Sequence, residues 1–287
     1  MRDTKGKLIS VWVPGNHGAG GSTISIALGI ALEHLTNRKT LIVNMGSTRN
    51  YMEQYLRNDV AARFSMDYLK SFDLGISADH IKMYSSAIND MLYILPNCKI
   101  GRELNKVGES FYQRFLEKSL EAFEFVIIDL ETGLCKEKQM FLDEADIILA
   151  VMNDNEIMLK DLLSSNKEIN EFIHQDKTLP IFNGLHESGN ALKTLSRLNK
   201  RLGLKSSCGI SFDYNANKAS CCEGKLYSFL KKELNKKKVD SPMSEQIVEL
   251  CSIITDKFSI PIDYVQENVN PISIIFTKAK LWGEIDV

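Results

Sequence analysis

The stretch VPGNHGAGGSTISIALGIAL, from Val13 to Leu32, constrains the fold more than any other part of the chain. It follows KLISVWV (Lys7–Val13), a short β-branched run that reads as a buried strand and stops at Pro14-Gly15. From Ser22 onward Ile26 and Ile30, then Ala27 and Ala31, recur four apart, the spacing of a helix running to about Leu35. A strand, a glycine-rich turn and a helix opening on Ser22-Thr23 outline a phosphate-binding loop. Gly15 and Gly20 stand at the G-x-x-x-x-G spacing, yet Gly21 occupies the place of the lysine that would reach the phosphates.

The loop therefore divides into two kinds of contribution. Glycines let successive backbone N–H groups point inward as an anion nest, and the helix N-terminus adds its dipole. Both come from backbone and survive the missing lysine, as do Ser22 as a magnesium ligand and Thr23 as a partner for an inner phosphate. Losing one charge-assisted contact removes about 1.5–3 kcal/mol, which weakens phosphate binding without abolishing it. Two other readings stay open here. The glycines can serve a tight turn and nothing else. A dinucleotide fold is the second, but Gly15, Gly18 and Gly20 give G-x-x-G-x-G, and Asn44 ends the second strand where a ribose-binding acid belongs.

Downstream the chain alternates strands and helices. KTLIVNM, MLYILP, FEFVIIDL, ADIILAVMN, TLPIFN and SSCGISF read as strands, with helices between them over Tyr51–Asn89 (broken near Asp73-Leu74-Gly75), Glu109–Phe123 and beyond. Buried runs joined by helices predict a doubly wound α/β fold: a mostly parallel sheet of seven or eight strands, helices on both faces. No composition shift or linker divides residues 1–258, which read as one domain, with 259–287 as a tail. A net charge of -2 excludes a broadly cationic nucleic-acid binder. The six cysteines form no C-x-x-C pair and no apolar run reaches the roughly 18–20 residues of a membrane span, so the chain reads as cytoplasmic with reduced thiols. Adjacent Cys221 and Cys222 read as core residues.

Laid on K-G-G-x-G-K-[ST]-T, the segment NHGAGGST keeps Gly18, Gly20, Ser22 and Thr23 and replaces the other invariant positions with Asn16, His17 and Gly21. FEFVIIDLETGL matches a strand ending D-x-P-x-G through Asp129 and Gly133. ADIILAVMNDNEIMLKDL matches V-x-x-P-E-x-x-S-x-x-D with Asn155 at the proline, and PIFNGL ends a strand on Asn183. MLYILP, GISFDYNANKASCCEGKL and SPMSEQIVELCSIITDKF fit further segments in order, so the likeness spans about Lys7 to Phe258. The chain resembles the MinD/ParA group of deviant P-loop ATPases. That resemblance implies a P-loop NTPase fold, a homodimer, and ATP or ADP with Mg2+ as cofactor. It implies that Gly15, Asn16, His17, Gly18, Ala19, Gly20, Gly21, Ser22 and Thr23 cradle phosphate, that Ser22 and Asp129 serve the metal, and that Asn183 meets adenine.

The same resemblance puts a D-x-D after the second strand, whose first aspartate orients the attacking water. Here Asn44 and Gly46 stand there; asparagine can hold a water but cannot take its proton. Phosphoryl transfer needs a positioned nucleophile and positive charge on the transition state, so hydrolysis is expected to be weak or absent unless Arg49 or His17 stands in. Degenerate loops of this kind resemble the TadZ/CpaE branch, which implies a localisation or assembly factor for a pilus, secretion or partition system. A working ATPase with a relocated cation and a nucleotide-free interaction module are the alternatives. Two surfaces complete the expectations. Ile272, Ile275, Phe276, Ala279 and Trp282 make an apolar stripe over 271–282 for the protein's own core, a partner or a membrane surface. KKELNKKK (Lys231–Lys238) is a solvated helix end or a non-specific DNA contact.

Overall fold

The computed structural model describes residues 6–15, 17–46, 51–60, 64–96, 108–185 and 191–262. The strands are β1 (Lys7–Val13), β2 (Thr40–Asn44), β3 (Ser86–Ala87), β4 (Leu92–Leu95), β5 (Phe125–Thr132), β6 (Ile147–Met152), β7 (Thr178–Leu185) and β8 (Cys208–Ser211). They form one sheet in the order β3-β4-β2-β5-β1-β6-β7-β8, parallel throughout except where β3 pairs antiparallel with β4. The expected mostly parallel sheet is present. Its order is not the 3-2-1-4-5-6 of a dinucleotide fold, which removes that reading.

Helices α1 (Gly21–Thr36), α2 (Tyr51–Leu56), α3 (Met66–Lys70), α4 (Ala78–Tyr84), α5 (Glu109–Ala122) and α6 (Lys136–Glu144) belong to the first part of the chain. The second part carries α7 (Glu156–Ser165), α8 (Lys167–Ile173), α9 (Ala191–Leu202), α10 (Tyr214–Asn217), α11 (Leu226–Leu234) and α12 (Pro242–Lys257). The break foreseen near Asp73–Gly75 is a single 3-10 turn, and the short β3 follows α4 inside the stretch expected to be helical.

The period-two alternation of the strands sorts the core into two layers. On β1, Leu8 and Trp12 enter one layer with Phe111, Phe115 and Phe141, whereas Ile9, Val11 and Val13 enter the other with α1 and α12. On β5, Val126 and Ile128 follow the first set, and Phe125 and Ile127 the second. Helix α1 is buried around almost its whole circumference because it is packed between the sheet, α11 and α12. Counting on by two places Asn44 of β2 and Asp129 of β5 on the α1 side, at the carboxyl ends of adjacent strands.

One surface expectation changes. Cys221 and Cys222 are exposed, not core, because a π-helical turn over Lys218–Glu223 carries them outward. The basic run ends α11, and two of its lysines serve the protein's own acids: Lys231 with Glu33 (3.5 Å), Lys236 with Glu233 (2.6 Å) and Asp240 (2.9 Å). The stripe over 271–282 lies outside the described residues, as do Asn16 and Arg49. Among the described residues no helix is long and apolar enough to cross a membrane.

Candidate functional site

The loop between β1 and α1 takes the shape that its glycines permit. Gly18 and Gly20 have φ of +90° and +92°, in the left-handed region that side chains with a Cβ rarely adopt. A helical bond from Ile24 N–H to Gly20 O (3.0 Å) starts α1 at once, so the amides of Gly20 to Thr23 are left facing outward at the helix N-terminus. That is the geometry of an anion nest.

Gly21 is held by more than the absence of a lysine. A Cβ there would lie 2.7 Å from Cγ2 of Val13, so a side chain at this position needs the Val13 side chain to shift. The sequence has filled with a valine methyl group the space through which a lysine would leave the backbone.

Asn183 reaches the loop from the far side. A register shift between β7 and β8 at Asn183/Leu185, with Gly184 at φ +77°, turns the end of β7 over α1. The Asn183 Nδ2 then donates to the carbonyl of Ala19 at 2.8 Å. The first job of this residue here is to hold the loop. It also lines the cavity that the loop opens into.

Asp129 stands behind Ser22, wholly buried. Burial pushes its carboxyl up to about 6; the Ser22 hydroxyl, the Glu131 N–H and the Asn44 amide, all donating to it, pull the other way, while the nearby Glu131 charge adds to the rise. The Asn44 Nδ2 lies 3.2 Å from the Asp129 Oδ2, and the Asn44 Oδ1 accepts from the Gly46 N–H at 3.0 Å. Asn44 is thus a fully buried brace between β2 and β5 with both ends of its amide engaged. It supports the aspartate and has no basic atom to offer a water.

Beyond Asp129 the pairing with β1 slips. Val11 pairs with Asp129 but Val13 pairs with Thr132, so β5 advances three residues for two of β1. The bulge contains Glu131, whose φ of +53° is left-handed. Just past it, Gly133 is clamped to β1: its N–H donates to Val13 O (3.1 Å), and its carbonyl accepts from the Trp12 indole N–H (2.8 Å). His17 crosses from the loop to the same segment, a ring nitrogen lying 3.1 Å from the Thr132 Oγ1. The proline expected at the start of α7 is replaced by a cap: the Asn155 Oδ1 accepts from the Met158 N–H at 3.2 Å.

Together these elements enclose a cavity of about 450 Å³ at the carboxyl end of the sheet, within the size range of nucleotide and cofactor sites. Loop residues His17 to Thr23 line it together with Asp129, Glu131 and Thr132. The cavity extends past Asn183 to Phe212, Asn217 and Met243, which the sequence did not single out. Among the described lining there is no lysine or arginine. Among the described residues no three His, Cys, Asp or Glu side chains come together to hold a metal unaided. A serine hydroxyl beside one buried carboxylate nonetheless suits Mg2+, which binds through one or two carboxylates and keeps phosphate oxygens and waters as its other ligands.

No family model matches the sequence, and a search of curated proteins found no match. Solved structures do match over most of the chain. A ParA family ATPase from Chlorobium tepidum TLS superposes with a TM-score of 0.72 at 17% identity, covering 87% of this chain and 99% of the other. The fold is that of the MinD/ParA ATPases. The septum site-determining protein MinD from Pyrococcus horikoshii OT3, complexed with Mg-ADP, gives 0.60 at 17% identity over 90% of this chain and 99% of its own. A chain of the MinC:MinD cell division protein complex of Aquifex aeolicus gives 0.62 at 16% identity over 90% of this chain and 98% of its own. The mostly parallel eight-stranded sheet with flanking helices is the architecture these ATPases share with this chain.

Proposed function

We propose that this chain is a nucleotide-binding localisation or assembly factor that holds ATP or ADP with Mg2+ and hydrolyses ATP weakly or not at all. One observation carries the reading. The backbone nest from Gly18 to Thr23 is intact and opens onto a nucleotide-sized cavity, while the described lining supplies no lysine or arginine and Asn44 supplies no base. Holding phosphate needs the first set; driving its transfer needs the second. Ser22 and Asp129 would hold the magnesium, whose charge would offset that of the phosphates. Asn183 and the Phe212 ring would border the base.

A second copy of the chain is the proposed partner at the cavity mouth. Ile157, Met158, Phe212 and Tyr214 are large, exposed, and follow the carboxyl ends of β6 and β8, the edge onto which the cavity opens. Such a dimer would present a nucleotide-dependent surface to a pilus, secretion or partition machinery, as the TadZ/CpaE likeness suggests. Calorimetric titration of ATP and ADP with Mg2+, run with phosphate release and solution mass, tests the reading. Saturable binding, mass doubling with ATP and no release above background are expected. Turnover above background would instead establish an ATPase with a relocated cation. Absence of binding at millimolar nucleotide would leave an interaction module only.

A further inference from the structure

Resting on the reading of this cavity as a nucleotide site, we propose that Asn183 is a positioning residue for the phosphates. It acts on them through the Ala19–Gly20 peptide, so its removal weakens a ligand without a base as much as it weakens a nucleotide.

A planar trans peptide sends its carbonyl and its N–H to opposite sides. The Ala19 carbonyl accepts from the Asn183 Nδ2 at 2.8 Å. That bond turns the carbonyl toward the end of β7 and the Gly20 N–H away from it. Among the described residues no protein group accepts from this N–H, which stands at the N-cap of α1. It is a donor left for an anion, the first of the run from Gly20 to Thr23.

The loop does not supply this restraint by itself. Turning the Ala19–Gly20 peptide over changes ψ of Ala19 and φ of Gly20. Gly20 stands at φ +92°, and glycine adopts φ of either sign about as readily. In the turned peptide the Gly20 N–H would face the Asn183 Nδ2, donor against donor, and the Ala19 carbonyl would point among the phosphate-facing amides. Asn183 therefore selects one of two peptide orientations that the glycine leaves open.

The two residues are also fitted to each other. A Cβ on Gly20 would lie 2.1 Å from the Asn183 Nδ2 and 3.3 Å from its Cγ, so the amide occupies the volume that a side chain at position 20 would take. The register shift between β7 and β8, with Gly184 at φ +77°, is what brings Asn183 there. A residue that only met the base would need neither the bond to Ala19 nor the close approach to Gly20.

The test is titration calorimetry of Mg-ADP and of magnesium pyrophosphate, which has no base, into the full chain. Wild type, Asn183→Ala and Asn183→Leu are compared, and spectra of the chain labelled with 15N-glycine report on Gly20 apart from affinity. Each variant is expected to lose about two- to tenfold toward both ligands, the worth of one net hydrogen bond, so that the ratio of the two affinities stays at its wild-type value. The Gly20 amide resonance of the ligand-free chain should move or broaden in both variants, which loss of a base contact would not cause. Leucine keeps the volume of the side chain and removes only the donor, so it decides the matter if the alanine variant does not fold. A loss toward Mg-ADP with pyrophosphate affinity unchanged makes Asn183 a base contact and overturns the proposal. So does an unmoved Gly20 resonance, an unchanged affinity for both ligands, or a wild type that binds Mg-ADP but not pyrophosphate; each leaves the nucleotide site standing. No heat with wild type and either ligand at millimolar concentration overturns the site itself.

Discussion

Replacing Gly46 with alanine should destabilise the protein only while Glu131 is present. Gly46 has no left-handed φ, so an alanine is tolerated by its own backbone. The whole cost comes from the added Cβ, 1.8 Å from one carboxylate oxygen and 2.6 Å from the Glu131 Cγ, contacts that no real structure sustains. Glu131 would have to leave its place, and overpacking of this kind costs about 1–3 kcal/mol. With Glu131→Ala as background the three nearest contacts are gone. Gly46→Ala should then be neutral or stabilising by about 0.4–1 kcal/mol, since alanine restricts the unfolded chain more than glycine does. Urea unfolding of the wild type, both single variants and the double variant gives the coupling energy directly. A coupling of about 1–4 kcal/mol is expected. Strict additivity, within the usual 0.3–0.5 kcal/mol for independent sites, would show that the two positions do not share this volume.

Restoring a lysine should fail for a related reason: Gly21→Lys meets Val13 at 2.7 Å and should lower the urea midpoint, while Val13→Ala with Gly21→Lys should recover it and bind ATP more tightly than wild type. The raised carboxyl of Asp129, about 6 against an ordinary 3.8, means the folded protein binds this proton more tightly than the unfolded chain. Ionisation therefore penalises the fold above about pH 6, and the penalty disappears as pH falls through 6 towards 4; at neutral pH it is of the order of 3 kcal/mol. Asp129→Asn should thus be more stable than wild type at pH 7.5 and lose that advantage at pH 4, read from urea midpoints at both values. Thiol labelling mapped by peptide mass should find Cys135, Cys221 and Cys222 reactive, and Cys208 and Cys251, whose thiols burial pushes up, silent until unfolding. Mg-ATP should slow labelling of Cys221, which lines the cavity, and leave Cys135 unaffected.

The fold was legible because its signals are local. Long β-branched runs such as FEFVIIDL and ADIILAVMN are buried on both faces, and only a parallel sheet with helices on each side accepts many of them. β3 was not legible, since two residues, Ser86 and Ala87, carry no periodicity. Gly18, Gly20, Ser22, Asp129 and Asn183 line one cavity because each ends or begins a regular element that the sequence marks. Glu131 was missed: an acid near the end of a strand looks like any solvated residue, and the bulge that turns it inward is set by pairing with β1. The partner relation between Gly46 and Glu131, residues far apart in sequence, is a fact of packing alone. The bond from Asn183 to Ala19 needs the turn at Gly184, visible only in the backbone. Cys221-Cys222 misled because free cysteine is usually a buried residue, whereas the π-helical turn over Lys218–Glu223 carries both outward.

The central claim is that backbone amides, without a lysine, hold the phosphates. Amide hydrogen exchange of the full chain, with and without Mg-ATP, reads those amides one by one. Protection concentrated at Gly18 to Thr23, extending to the bulge at Glu131 and the turn at Gly184, is the predicted result. A chain that binds Mg-ATP yet leaves the exchange of Gly18 to Thr23 unchanged would contradict the account.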